Sequence, residues 1–216
     1  MSFLTWLSFA LFSAAALAQD FGFPGGNQPR KEAITAEVPF IGCSTCKLAA
    51  QSMHQAVESM RHPRLGIHED DIEKLVLETC LPAAPAGTWL KQYDIVLADK
   101  KLTLELRDGI GSCSEECETI AKSCGRLIDD LDMEELVVAL WRGKKSPEEL
   151  ESFVCTELSS RCSSPDPAFD STRTDYPPFR WEAMSESELQ MEELMNQMKE
   201  LGLEGSVMGM GAGDEF

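Results

Sequence analysis

The chain is 216 residues long, 43% hydrophobic and 26% charged, and carries 37 acidic against 19 basic residues, a formal net charge of −18. That balance argues against nucleic acid as a partner and against an anionic membrane surface at neutral pH, because both repel such a chain at long range. Eight cysteines, an even number, point to a disulfide framework if the chain meets an oxidising compartment.

The first residues supply that route. In MSFLTWLSFALFSAAALAQD the apolar run from Leu4 to Leu17 is too short to span a bilayer comfortably, and it ends in Ala16-Leu17-Ala18, the small-x-small pattern of a signal-peptidase site. Residues 1–18 are expected to be a signal peptide, although no Lys or Arg precedes the run. No second hydrophobic segment follows, so no transmembrane segment is expected in the mature chain. Residues 19–40, with FGFPGGNQPRK, read as a flexible leader. No Asn-x-Ser/Thr occurs, and N-glycosylation is not expected.

Residues 41–162 hold all eight cysteines among amphipathic patterns and read as one domain. Cys43, Cys46, Ala50, Met53, Val57 and Met60 recur at three- and four-residue steps, which predicts a first helix with both cysteines facing inward. HEDDIEKLVLETC predicts a second. Its first-turn carboxylates suit the helix dipole, Ile72, Leu75, Val76 and Cys80 form its buried side, and Pro82 and Pro85 stop it. In WLKQYDIVLADKKLTLELRD the helical period gives way to two β-prone runs, Tyr93 to Leu97 and Leu102 to Leu106, around a polar Ala98-Asp99-Lys100-Lys101 turn: a hairpin.

GSCSEECETIAKSCGRL opens a third helix, with Ser112 and Glu115 in capping-box spacing and Cys117, Ile120, Ala121, Cys124 and Ile128 as its apolar face. Asp132 is placed to cap a fourth, with Leu136, Val137, Leu140 and Trp141 inward and Gly143 as its end. For the fifth, Ser146 is the cap, Pro147 the first helical residue and Glu149 the closure of the capping box. Leu150, Val154, Leu158 and Cys162 form its stripe, with Cys155 beside Val154. Residues 163–182 read as a Pro- and Ser-rich linker, and 183–216 as an acidic, methionine-rich helix with a glycine-rich tail.

Cys43-Ser-Thr-Cys46 invites a redox reading, because a helix N-terminus stabilises a thiolate. No βαβ pattern precedes the motif and no Trp stands before its first cysteine, so a structural role is expected. The three histidines, His54, His62 and His68, show no ligand-pair spacing on one face; they read as surface residues, and no metal or cofactor is expected. No nucleophile lies at motif spacing from a base and no phosphate loop occurs, so no catalytic residue is assigned and the chain reads as a non-enzyme.

Cys-x-x-Cys opening a helix, a cysteine closing the second helix, Glu-Glu-Cys opening a third and a spaced cysteine pair on the last helix together resemble the saposin-like fold. The resemblance covers about Ile41 to Cys162. It implies a mainly α, disulfide-stapled saposin-like (saposin B-type) domain of five helices, with the hairpin inserted between helices 2 and 3 and an amphipathic helix added at the C-terminus. The 36 residues between Cys80 and Cys117 depart from saposins proper. Six residues separate Cys155 from Cys162 and Cys117-Glu-Thr-Ile is followed by a continuous acidic helix, features similar to the canopy branch of endoplasmic-reticulum saposin-like proteins, to whose six cysteines Cys113 and Cys124 would be additions. The chain is also similar to the plant and algal saposin B-type domain proteins, which share a VPFIGCSTCK-like opening, the W-x-x-x-x-DIV hairpin and the Met-rich tail. The family's pairing, carried over, implies Cys43 with Cys162, Cys46 with Cys155 and Cys80 with Cys117, which leaves Cys113 to Cys124. Those two are too far apart on one straight helix, about 16 Å, so the chain would have to turn back before Cys117, with Ser112 or Ser114 as the cap that allows it. The alternative set, Cys80 with Cys124 and Cys113 with Cys117, needs a bridge across one helical turn.

The canopy-like resemblance implies a lumenal accessory factor, co-chaperone-like, that binds secretory-pathway client proteins or a lumenal chaperone. Two features bear on it. Gly213-Asp214-Glu215-Phe216 resembles a degraded Lys/His-Asp-Glu-Leu retrieval signal, which sets the endoplasmic-reticulum lumen as the expected compartment, with secretion as the alternative. Met191, Leu194, Met195, Met198 and Leu201 (or Leu203) fall on one side of the tail helix, where an exposed stripe suits varied apolar partners and a docked one would serve the domain itself. The competing reading is lipid binding or presentation of the saposin kind, which an acidic chain performs once acid neutralises its carboxylates.

Overall fold

A computed structural model of the protein describes residues 32–61, 66–169 and 181–200. The expected signal peptide, the leader as far as Lys31, His62, Leu201, Leu203 and the terminal Gly213-Asp214-Glu215-Phe216 lie outside the described residues. The described chain is mainly helical, with one two-stranded antiparallel hairpin and four disulfides.

Helix α1 (Gly42–Met60) is the hub and packs against most of the other helices. It buries Cys46, Ala49, Ala50, Met53 and Val57, four-residue steps that make one continuous stripe, while Met60 at its end is exposed. Its N-terminus carries no cap of its own. Asp166, more than a hundred residues later, serves instead: its carboxylate accepts the Cys43 and Ser44 amides at 2.8 and 3.1 Å and the Ser44 hydroxyl at 2.8 Å. Helix α2 (Glu69–Glu78) buries Ile72, Leu75 and Val76, and the turn after it is closed by the Trp89 indole, which donates to the Thr79 carbonyl at 3.0 Å. Within the 3-10 turn Pro85–Gln92 only glycine fits at Gly87, where a Cβ would stand 1.9 Å from the Leu81 carbonyl oxygen.

Strands β1 (Tyr93–Ala98) and β2 (Lys101–Leu106) pair from Tyr93 opposite Leu106 to Ala98 opposite Lys101. Asp99 and Lys100 between them both take positive φ, 50° and 61°, as a two-residue type I′ turn requires. Ile95 and Leu102 are buried, whereas Leu97 and Leu106 face solvent.

Helix α3 (Glu115–Asp130) begins later than its spacing predicts. Ser114, not Ser112, is the cap position, and its side chain makes no capping bond. Cys113 therefore lies outside the helix. That explains the pairing: Cys113 is bonded to Cys117, with Cα atoms 5.0 Å apart, and Cys80 to Cys124, 5.3 Å apart. The pairs Cys80–Cys117 and Cys113–Cys124 implied by the family resemblance are not formed. Cys124 sits fully buried on the core face of α3 opposite the end of α2, while Cys113 meets Cys117 because extended backbone at Ser114 folds it back onto the first turn. Cys43 is bonded to Cys162 and Cys46 to Cys155.

Helix α4 (Met133–Arg142) starts at Asp132, whose carboxylate accepts the Glu135 amide at 3.0 Å, and ends at Gly143 with φ 58°. Its last carbonyls are taken by the Arg61 guanidinium, at 2.5 Å from Leu140 and 3.1 Å from Trp141. Trp141, expected to face inward, is 43% exposed, and its indole donates to the Ile67 carbonyl. Helix α5 (Pro147–Ser152) has the full Ser146–Glu149 capping box and then widens into a π-helical turn, Phe153–Leu158. The widening moves the predicted stripe. Phe153, Val154 and Cys155 are buried, and Cys162 lies beyond the helix, its amide reaching back to the Cys155 carbonyl at 2.8 Å.

Parts of the expected leader and linker are built into this body. The Ile34 amide donates to the Thr119 hydroxyl of α3 at 2.8 Å, and the Lys122 ammonium reaches the Thr35 hydroxyl at the same distance. Phe169 is buried with its ring edge-on to Phe40, centroids 5.2 Å apart. Local composition says nothing of such distant partners, which is why these segments read as free from sequence.

Candidate functional site

Helix α6 (Glu186–Glu200) is attached to the body through the residues before it. Ala183 forms an antiparallel bridge with Gly111, the Ser112 amide donates to the Glu182 carbonyl at 3.0 Å, and the Met184 amide donates to the Ile110 carbonyl at 2.9 Å. The Trp181 indole donates to the Lys91 carbonyl at 2.9 Å and lies so close over Gly111 that a Cβ there would stand 2.5 Å from its nitrogen. The helix then starts on its own capping box: the Glu188 amide donates to the Ser185 hydroxyl, and the Ser185 amide and hydroxyl both donate to the Glu188 carboxylate. Those bonds hold the Glu188 carboxyl below the usual range, the hydroxyl contributing most.

One side of α6 turns inward. Leu189, Glu192 and Asn196 line a groove with Pro85, Thr88 and Ile110, and the Glu192 carboxylate pairs with the buried Lys91 ammonium. The opposite side bears the residues singled out from sequence. Met191, Leu194 and Met195 are 59%, 51% and 57% exposed, with Met198 partly covered on the same side. The helix therefore docks, but not through its methionines. Sequence periodicity located the stripe and missed the anchor, because Lys91, Glu192 and Trp181 act only as a set joined across about ninety to a hundred residues.

A second cluster lies where the hairpin meets α3. Asp94 on β1 and Glu116 in the first turn of α3 are 5% and 3% exposed. Arg107, just after β2, donates to Asp94 Oδ2 from Nε at 2.8 Å and again from its terminal nitrogen. Asp94 raises the pKa of Arg107 in turn. Burial, reinforced by a hydrogen bond and the charge of Asp94, pushes the Glu116 carboxyl up to about 9, against the opposing pull of the Ile95 amide and Arg107. Glu116 is therefore the protonated member at neutral pH. Its O–H supplies the donor that Asp94 Oδ1 otherwise lacks. The trio pins hairpin to helix.

Among the described residues no group of three or more His, Cys, Asp and Glu is placed to hold a metal ion. No helix there is long and apolar enough to cross a membrane. The four disulfides fit a chain that folds in an oxidising compartment, lumenal or secreted. In comparisons with known proteins, the chain matches no family model, no curated protein and no solved structure.

Proposed function

We propose that the chain is a non-enzymatic, saposin-like accessory factor of the secretory pathway, working in the endoplasmic-reticulum lumen or after secretion, which binds client proteins through the exposed face of α6. The observation that carries the reading is the outward stripe of Met191, Leu194 and Met195 on a helix whose other side faces the body across a groove and is pinned there by the Lys91–Glu192 pair. Methionine side chains are unbranched and polarizable, so such a face accepts apolar partners of varied shape. The stapled helices supply a rigid mount. The outer pairs Cys43–Cys162 and Cys46–Cys155, which follow the saposin-like pairing, support the same reading, whereas the Cys80–Cys124 pair departs from it.

Lipid binding has less support. The apolar space between α1, α3 and the hairpin is taken by Ile41, Met53, Leu90, Ile95, Leu102 and Ile120, all fully or almost fully buried.

The test is crosslinking and mass spectrometry of the tagged protein in intact microsomes, comparing wild type with the triple substitution Met191→Gln, Leu194→Gln, Met195→Gln. The reading expects a discrete set of secretory clients that the variant loses. Unchanged client capture by the variant, or lipid transfer between vesicles at about pH 5 without any client, removes it.

A further inference from the structure

The stripe on α6 has the spacing of a helix-docking surface. Met191, Leu194, Met195 and Met198 stand at i, i+3, i+4 and i+7, the pattern by which one amphipathic helix lays its apolar side along another. Charge narrows the occupant. Helix α6 holds five glutamates and one lysine, and among its described side chains Glu192 is the acid paired with the body, through Lys91. Glu186, Glu188 and Glu193 remain exposed, Glu193 at the edge of the groove that faces the body, and an α-helix is only about 10 Å across, a distance over which charges still act at ordinary ionic strength. The whole chain adds a field of the same sign, with its net charge of −18. A second copy of the chain would set glutamates against glutamates across such a contact, and an anionic bilayer would be repelled in the same way. What remains favourable is an apolar stripe bordered by Lys and Arg.

We infer that the exposed face of α6 receives a basic amphipathic helix of its client, an inference that rests on the partner-binding reading of that face. The methionines tolerate differing apolar side chains, and the glutamates select against acidic or neutral helices of equal apolarity. Affinity is accordingly salt-dependent, and the on-rate more so than the off-rate.

The experiment measures binding of two synthetic helical peptides to the full-length mature protein by fluorescence anisotropy. The peptides share one apolar stripe and length, and their polar positions are Lys in one and Glu in the other. The Lys peptide is expected to bind at least about tenfold more tightly than the Glu peptide, to lose affinity as salt rises from about 0.05 to 0.5 M, and to lose most of it in the triple glutamine variant. A second variant, Glu186→Gln with Glu193→Gln, keeps the stripe and is expected to narrow the gap between peptides. Far-UV circular dichroism checks that both variants keep their helix content.

Equal binding of the two peptides, or tighter binding of the Glu peptide, overturns the inference. So does concentration-dependent dimerisation abolished by the triple variant, which would make a second copy the occupant, or binding to phosphatidylcholine vesicles through the same residues. If neither peptide binds while microsomal crosslinks still depend on Met191, Leu194 and Met195, the basic-helix inference fails and the partner-binding reading stands. Crosslinks that ignore the three residues remove the reading itself.

Discussion

Lys91 and Glu192 meet as an ion pair across 101 residues of chain, and the lysine is buried beneath the helix that brings the glutamate. A buried ammonium without its partner is costly, so the pair is a latch whose strength depends on both ends. Glu192→Gln is expected to cost about 1–2 kcal/mol and to loosen α6 before the rest of the molecule. Urea denaturation reads the first effect. Hydrogen exchange reads the second as lost protection of amides in α6, with α1 and α3 unchanged; equal protection in α6 would show that the latch does not hold the helix.

The four disulfides should differ in worth. Cys43–Cys162 closes a loop of sequence separation 119 and Cys113–Cys117 one of 4, so chain entropy assigns about 4–5 kcal/mol to the first and about 2 kcal/mol to the second. Paired Ser substitutions at Cys113 and Cys117 are expected to leave a folded protein with a modest loss of stability, and the same change at Cys43 and Cys162 to leave one that barely folds at 37 °C, by the same principle. Non-reducing peptide mapping tests the connectivity directly: a Cys80–Cys124 crosslink is expected, and a Cys80–Cys117 crosslink would refute the pairing described above.

Glu116 makes stability depend on pH. Its folded-state pKa lies above the ordinary carboxyl value of 4.5, so the folded protein holds the proton more tightly than the unfolded chain. The contribution is present in full below about 4.5 and is lost as pH rises toward about 9, with a limiting slope of about 1.4 kcal/mol per pH unit. Glu116→Gln keeps a donor toward Asp94 and cannot ionise. Its stability relative to wild type is therefore expected to improve steadily from mildly acidic to alkaline pH. Parallel curves for the two proteins would rule out a protonated Glu116.

Gly111 lies under the Trp181 indole with no room for a Cβ. Gly111→Ala is expected to cost about 1–3 kcal/mol, to shift the tryptophan emission and to weaken the attachment of α6. The double variant with Trp181→Ala should recover part of the loss, because the clash disappears with the ring. Full additivity in that cycle would mean that the two residues do not touch.

The features legible in the sequence are local ones. Ser146, Pro147 and Glu149 cap α5, Asp132 and Gly143 bound α4, and Asp99-Lys100 turns the hairpin, each because residues within a few positions satisfy one another. Ser112 misled for the same reason: it has capping-box spacing to Glu115, but extended backbone at Ser114 leaves Cys113 outside the helix, which starts at Glu115. The Asp166 cap on α1, the Arg61 cap on α4 and the Lys91–Glu192 latch were not legible. Each joins groups some eighty residues apart or more, and nothing in the composition around Asp166 or Arg61 announces a partner. At the candidate site the stripe could be read from its period, whereas which side of α6 faces out depends on one buried lysine in a different part of the chain.

The attachment of α6 has a further meaning. Among the described residues, Trp181, Glu182, Ala183, Met184 and Glu192 are bonded to Lys91, Ile110, Gly111 and Ser112, some seventy to a hundred residues earlier in the chain. The segment thus has a docking site of its own on the body, made by contacts distant from it in sequence. A chain cut between Phe169 and Trp181 would therefore be expected to persist as a two-piece complex with a dissociation constant of its own.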